Sequence, residues 1–330
     1  MAAGGCGGDD ETAAPDPGGT GIFEGYDPAD LGTPDTVRMF AGASAPAVFA
    51  SAISGALLGG VSNLDSTSKC PGITQIGTKT TYTGGCTDSD GNTWFGVAVI
   101  AEGETDGEGS IRYDGFGLGQ PAECTGGAGE TRLTYDGTVT LTREASDTVA
   151  FAVSVTFAAA TANPQTCAAV ASSVAYDYHG TFVQLDPGGG AGGAGSGGAG
   201  GGSGGAAPPQ GGITDHTRWN GSGRIGVSTV GYVDATTTDE LLDSTVCADE
   251  AASGTTRITS GSDVAVLTYD GATKCDDTST VPWTYDGKAQ PELTNVRCAV
   301  GAAPGAPSGL AGAGLFAAAV AAALHRRRRA

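Results

Sequence analysis

Apolar and polar residues alternate with a period of two along much of the chain. In 148–157, Val149, Phe151, Val153, Val155 and Phe157 fall on one face, with Thr148, Ala150, Ala152, Ser154 and Thr156 on the other. In 132–141, Leu133, Tyr135, Gly137, Val139 and Leu141 share a face against Arg132, Thr134, Asp136, Thr138 and Thr140. This is the pattern of a half-buried antiparallel strand. The stretches TWFGVAVIA, GSIRYDGFG, SVAYDYHGTF and SDVAVLTYDG repeat it, with Gly- and Asp-rich turns between them. The expectation is a mainly β fold, an antiparallel sheet or sandwich.

One helix is expected to pack on that sheet near its N-terminal end. Ser44 suits an N-cap and Pro46 the first turn. Val48, Phe49, Ala52, Ile53, Ala56 and Leu57 then line one face, and Gly59-Gly60 stop it. Residues 188–212 hold fifteen glycines in twenty-five positions and close on Pro208-Pro209. Such a tract reads as a flexible coil, here a loop between adjacent strands, because loop cost grows only logarithmically with length. The phrase Tyr-Asp-Gly recurs at 113–115, 135–137, 269–271 and 285–287, echoed by Tyr178-His179-Gly180 and Trp219-Asn220-Gly221. It reads as a strand motif whose aromatic packs inward while glycine relieves crowding. The rival reading is an aromatic ladder for stacking a sugar.

Gly309 to Leu324 carry no charged side chain, and His325 and Arg326, Arg327, Arg328 and Arg329 follow directly. Sixteen residues span about 24 Å as a helix. That is short for a membrane crossing, but snorkelling arginines lengthen it and mark the cytoplasmic side. The arrangement of Cys298, a Pro/Gly/Ala spacer, the apolar run and the Arg cluster resembles the MYXO-CTERM type of C-terminal sorting tail on bacterial envelope proteins. That family's Cys lies close to the apolar segment, and processing removes the tail; here eleven residues separate Cys298 from Leu310, so the match is partial. At the other end, Ala3-Gly4-Gly5-Cys6 followed by Gly7-Gly8-Asp9-Asp10-Glu11 is similar to the end of a bacterial lipobox. The resemblance makes Cys6 a lipidation candidate. The organisation expected is an acidic leader or tether over 1–33, a β-rich ectodomain over 34–300, a spacer over 301–308 and a membrane or sorting tail over 309–330.

Charge and cysteine content narrow the partners. The chain holds 36 acidic against 16 basic residues, a net charge of −20, and four of the bases are the terminal arginines. An acidic body excludes nucleic acid as a partner and leaves the membrane, for the tail, and an unknown extracellular or periplasmic protein or glycan. Eight cysteines without CxxC spacing, read with the tail, imply disulfides in an oxidising compartment. The preferred pairs are Cys70–Cys86, Cys124–Cys167 and Cys247–Cys275; a Cys247–Cys298 or Cys275–Cys298 bridge is nearly as good.

Chemistry-bearing motifs are few. Asp88, Asp90 and Asn92 alternate as in calcium loops, but Thr93 and Val99 stand where that loop needs Gly and Glu. A hairpin turn explains the segment better, leaving these three residues as weak metal candidates. There is no GxSxG, HExxH, P-loop or dinucleotide fingerprint. No cofactor and no catalysis are inferred. The reading is a membrane-anchored, extracytoplasmic envelope protein with a structural, adhesive or interaction role. A carbohydrate- or calcium-binding surface module is the alternative, and a secreted hydrolase the second alternative.

Overall fold

The computed structural model describes residues 21–44, 69–103, 108–125, 127–163, 165–185, 217–242, 251–269, 280–294 and 296. Nearly all of them build one antiparallel sheet. Its first part contains a hairpin of β1 (Gly72–Ile76) and β2 (Lys79–Thr83), then β3 (Cys86–Thr87) and β4 (Thr93–Glu102). Four long strands follow: β5 (Gly109–Cys124), β6 (Gly127–Arg143), β7 (Thr148–Ala162) and β8 (Ala169–Gln184). Next come β9 (Thr217–Val227), β10 (Gly231–Leu242), β11 (Ser253–Ser260) and β12 (Asp263–Tyr269). The last pieces are β13 (Thr280–Val281), β14 (Trp283–Tyr285), β15 (Lys288–Ala289) and β16 (Leu293–Thr294).

Pairing follows chain order. The hydrogen-bonded path is β1-β2-β4-β5-β6-β7-β8-β9-β10-β11-β12-β14-β15, with β3 beside β4 and a separate β13–β16 ladder. β8 and β9 flank the glycine tract and are direct neighbours, in register from Val174↔Val227 to Gln184↔Thr217. The alternation read from 148–157 is realised, with Phe151, Val153, Val155 and Phe157 all buried. On β6, Tyr135 and Val139 are buried, while Leu141 lies toward the strand end and is 37% exposed.

The inner face is a continuous aromatic seam. Tyr113 and Tyr135 have ring centroids 5.5 Å apart, Tyr135 and Phe157 5.2 Å, and Phe157 and Tyr176 5.7 Å, stepping from β5 to β8. A second row joins Phe151 to Trp219 at 4.4 Å and Phe182 to Trp219 at 4.5 Å. Cross-strand rings of this kind add to the stabilisation from burial alone. The Tyr-Asp-Gly motif therefore packs inward: Tyr113, Tyr135 and Tyr269 are buried, and Tyr285 is half-buried. Glycine makes the room. A Cβ on Gly180 would lie 2.7 Å from the Phe151 ring, and one on Gly221 2.5 Å from the Tyr178 ring.

Two disulfides brace the sheet, Cys70–Cys86 and Cys124–Cys167. The first ties the start of the β1–β2 hairpin to β3. The second joins the β5–β6 turn to the β7–β8 turn, where the Asn163 side chain accepts from Gln165 N and Thr166 N and shapes the loop that presents Cys167. Loops of 16 and 43 residues correspond to roughly 3 and 4 kcal/mol of lost unfolded-chain freedom. Cys6, Cys247, Cys275 and Cys298 lie outside the described residues.

The N-terminal region differs from expectation. The coreless leader read over 1–33 is docked on the sheet from residue 21 onward. Ala29 N donates to Tyr232 O at 3.0 Å, Tyr232 N to Asp27 O at 2.8 Å, and Ser260 Oγ to Ala29 O at 2.6 Å. These bonds lay Pro28 beside β10 as a parallel bridge and sink Leu31 completely. A few backbone bonds and one buried leucine suffice, although the segment is rich in Pro, Gly and acid. Helix α1 (Pro34–Ala43) follows, capped by Thr33, with Pro34 at its start and Asp35 in its first turn. Val37 and Phe40 are fully buried, and the helix lies on β10 and β11. Ser44 closes this helix, its N–H donating to Phe40 O and its Oγ to Ala41 O. The helix expected over 46–57 lies outside the described residues, as do 188–212 and 309–330. Among the described residues, no helix is long and apolar enough to cross a membrane.

Phe151→Ala removes the ring shared by β7, β8 and β9 and is expected to cost about 3–5 kcal/mol. Denaturant unfolding followed by tryptophan fluorescence measures it; a loss below about 1 kcal/mol would mean the seam is not the core.

Candidate functional site

Three places bring chemistry-bearing side chains together. The first is inside the sheet. Tyr178 OH donates to Thr237 Oγ1 at 3.4 Å, Thr237 Oγ1 meets Thr256 Oγ1 at 3.3 Å, and Thr256 Oγ1 meets Tyr269 OH at 3.2 Å. These hydroxyls, from β8, β10, β11 and β12, form a buried chain, and such chains are stable in an apolar interior because each member is satisfied.

Glu240 joins this region, 1% exposed. Strict alternation after the inward Thr237 would point Glu240 outward. Instead the register of β10 slips between Thr237 and Glu240 against β9, and between Thr238 and Leu241 against β11. Asp239 takes φ +50°, and its N–H is held by Asn220 Oδ1 at 2.8 Å. The extra residue of this bulge turns the carboxyl into the core. Gly254 lies opposite, where a Cβ would sit 2.5 Å from Glu240 Cα. The run Thr-Asp-Glu-Leu-Leu broke the period-two pattern, which was the signal available in the sequence.

Burial pushes the phenols of Tyr113, Tyr135, Tyr176 and Tyr178 far above the ordinary value near 10. For Tyr178, desolvation is the largest cause and the Glu240 charge adds to it, partly opposed by the bond to Thr237.

The second place is the turn joining β3 and β4. Asp88 Oδ1 accepts from Asp90 N at 3.0 Å and Asn92 N at 2.9 Å. Its Oδ2 accepts from Asn92 Nδ2 at 3.0 Å and Trp94 Nε1 at 3.1 Å. Both carboxylate oxygens are thus engaged by protein donors, as in an Asx-closed hairpin. Desolvation raises the Asp88 pKa, but these four bonds outweigh it and hold the carboxyl below its ordinary value. Asp90 supplies its backbone N–H to this turn, and Asn92 both its backbone N–H and its amide. Among the described residues no group of three or more His, Cys, Asp or Glu side chains is placed to hold a metal ion.

The third place is on the outer face. A shallow concavity of about 360 Å³ lies over Ala158, Ala160, Ala171 and Ser173, with Arg132 on one rim and Ser228 on the other. The Arg132 guanidinium stacks on Phe95 at 3.7 Å, and Tyr26 OH bonds Ser173 Oγ at 2.7 Å. The floor is methyl and hydroxyl groups, with a single cation at the edge. Elsewhere on the outer face, Ser222 Oγ lies 3.4 Å from His179 Nε2 across β8 and β9. His179 is exposed there, on the strand surface.

Two pH effects follow. Because Asp88 has a depressed folded-state pKa, its contribution to stability is present above the ordinary carboxylate pKa and is lost as pH falls through the folded value. Asp88→Asn is therefore expected to lower the melting temperature at neutral pH, with the gap from wild type closing in acid. An equal gap at every pH would contradict the assignment. The buried tyrosines act in the opposite sense: their contribution is complete below pH about 10 and falls as pH rises beyond it. Absorbance titration at 295 nm should show them ionising only with alkaline unfolding. Comparison with family models, with curated proteins and with solved structures found no match.

Proposed function

We propose that this chain is an extracytoplasmic protein of the bacterial envelope, held at the membrane by Gly309–Leu324 and the cluster Arg326 to Arg329. Its role is structural, adhesive or interactive rather than catalytic. The observation that carries the reading is the pair of disulfides, Cys70–Cys86 and Cys124–Cys167, which belong to an oxidising compartment. Cytosolic glutathione keeps such thiols reduced.

Further support comes from charge and from the placement of the aromatic residues. An acidic surface suits a soluble body outside the cell better than one lying against anionic lipid. The Tyr-Asp-Gly rings are spent on the core, so they support a scaffold more than a sugar-stacking ladder. In this reading Cys6 carries a lipid in the manner of the lipobox it resembles. Cys298 with its spacer belongs to a processed tail of the MYXO-CTERM kind.

Cell fractionation followed by intact-mass measurement tests the proposal. The expected result is a membrane-associated protein, resistant to carbonate, whose mass accounts for at least the two described disulfides. Recovery in the cytosolic fraction with all thiols free to alkylate would end it.

A further inference from the structure

The first strand of the sheet has one neighbour among the described residues, β2, and no described residue pairs with its other edge. β1 runs Gly72-Ile73-Thr74-Gln75-Ile76 and pairs without a bulge from Gly72↔Thr83 to Ile76↔Lys79. Edge strands are commonly protected by bulges, by proline or by charges within the strand; β1 has none of these. It also carries two of the four large apolar side chains that stand exposed among the described residues, Ile73 at 49% and Ile76 at 76%.

The hairpin geometry fixes which backbone groups face outward. Gly77 and Thr78 form a two-residue connection, which places Ile76 and Lys79 in the hydrogen-bonded class of pair. By alternation Ile73 and Gln75 turn their N–H and C=O groups away from β2. The edge is also held in shape: the Cys70–Cys86 bridge fixes its start, and Tyr82 of β2 packs toward Phe116 at 6.4 Å beneath it. A strand already extended and anchored has little ordering cost left to meet on binding.

Charge decides what the edge can accept. Residues 69–87 contain Lys69 and Lys79 and no acid, in a chain with 36 acids and 16 bases. Glu102 lies by the hairpin tip, its N–H bonded to Thr78 O, and leaves the strip with a positive balance. A second copy pairing β1 to β1 would bring together two strips that each carry Lys69 and Lys79 and no acid, and like charges in proximity repel. An acidic strand meets the same lysines favourably.

We infer that the outer edge of β1 is a strand-addition site for an extended acidic segment of another polypeptide. Main-chain bonds to Ile73 and Gln75 provide the pairing, and Lys69 and Lys79 select for flanking Asp or Glu. This specifies the partner chemistry of the interaction role proposed above and rests on that role, but not on the membrane attachment. The fractionation result and this one can therefore fail separately.

The test uses the full chain in mild detergent and two fluorescent synthetic peptides. Both alternate Thr and Val, one flanked by glutamates and the other by lysines. The expected result is binding of the acidic peptide, weakened at least about tenfold in Gln75→Pro, which removes an outward donor at an edge position where proline is tolerated. The double variant Lys69→Glu with Lys79→Glu should transfer the preference to the lysine peptide, with an unchanged thermal melt. Absence of acidic-peptide binding, equal binding by Gln75→Pro, or no change in preference in the charge variant would each overturn the inference. So would a wild-type dimer in sedimentation that Gln75→Pro dissolves, since the edge would then be occupied by a second copy.

Discussion

Everything in this molecule depends on how aromatic rings of one strand are accommodated by the next. Phe151 lies against Gly180, Tyr178 against Gly221, and Tyr113 is paired with Gly137. Large side chains on an inner face need space, and a twisted sheet offers it only where the neighbouring strand carries no Cβ. Ring and gap are therefore a single unit distributed over two strands. Repeating that unit from β5 to β9 gives a seam with no helix beneath it among the described residues, and its cohesion comes from ring-on-ring contact. The recurrence of an aromatic followed two positions on by glycine is the written form of this packing rule.

The polar features are arranged around that seam. At one side the N-terminal segment and α1 close over β10 and β11, where the sheet's own aromatics run out. At the other side the disulfide from Cys70 fastens a hairpin too short to be held by burial alone. Asp88 closes the turn beside it with four accepted bonds, doing with one carboxylate what a longer loop would need several residues to do. Glu240 shows the opposite use of a carboxyl, turned inward by one extra residue, where its charge acts on the buried Tyr178 hydroxyl.

Much of this was legible in the sequence. The strands at 132–141 and 148–157 could be read because their outer positions are polar or small and their inner positions, Gly137 apart, are aromatic or branched. Two cysteine pairs could be read because their separations suit neighbouring turns. The docking of 27–31 could not be read, because it rests on main-chain bonds to Tyr232, the Ser260 hydroxyl and the burial of Ala29 and Leu31, and none of these leaves a periodic trace. Helix α1 was hidden for a related reason: its capping Thr33 is the last residue of a stretch whose glycines and acids suggested a tether. The inward turn of Glu240 depends on a bulge, which shifts every later position by one and defeats alternation. Strand order was open between one sheet and two, since alternation fixes which face is buried and not which strand lies beside which.

The neighbour-to-neighbour order of the strands has a consequence for how such a chain acquires its shape. Most pairings on the main path join strands adjacent in the sequence, with only the short β3 and β13 stepped over, so each hairpin can close as soon as its second arm is available. Closing short loops carries a small entropic penalty, and folds dominated by them form quickly for their size. The one wide gap on the path, between Gln184 and Thr217, divides the process. A chain delivered from its N-terminus could zip β1 through β8 before β9 arrives, and the finished half then serves as the template on which the remainder is laid down.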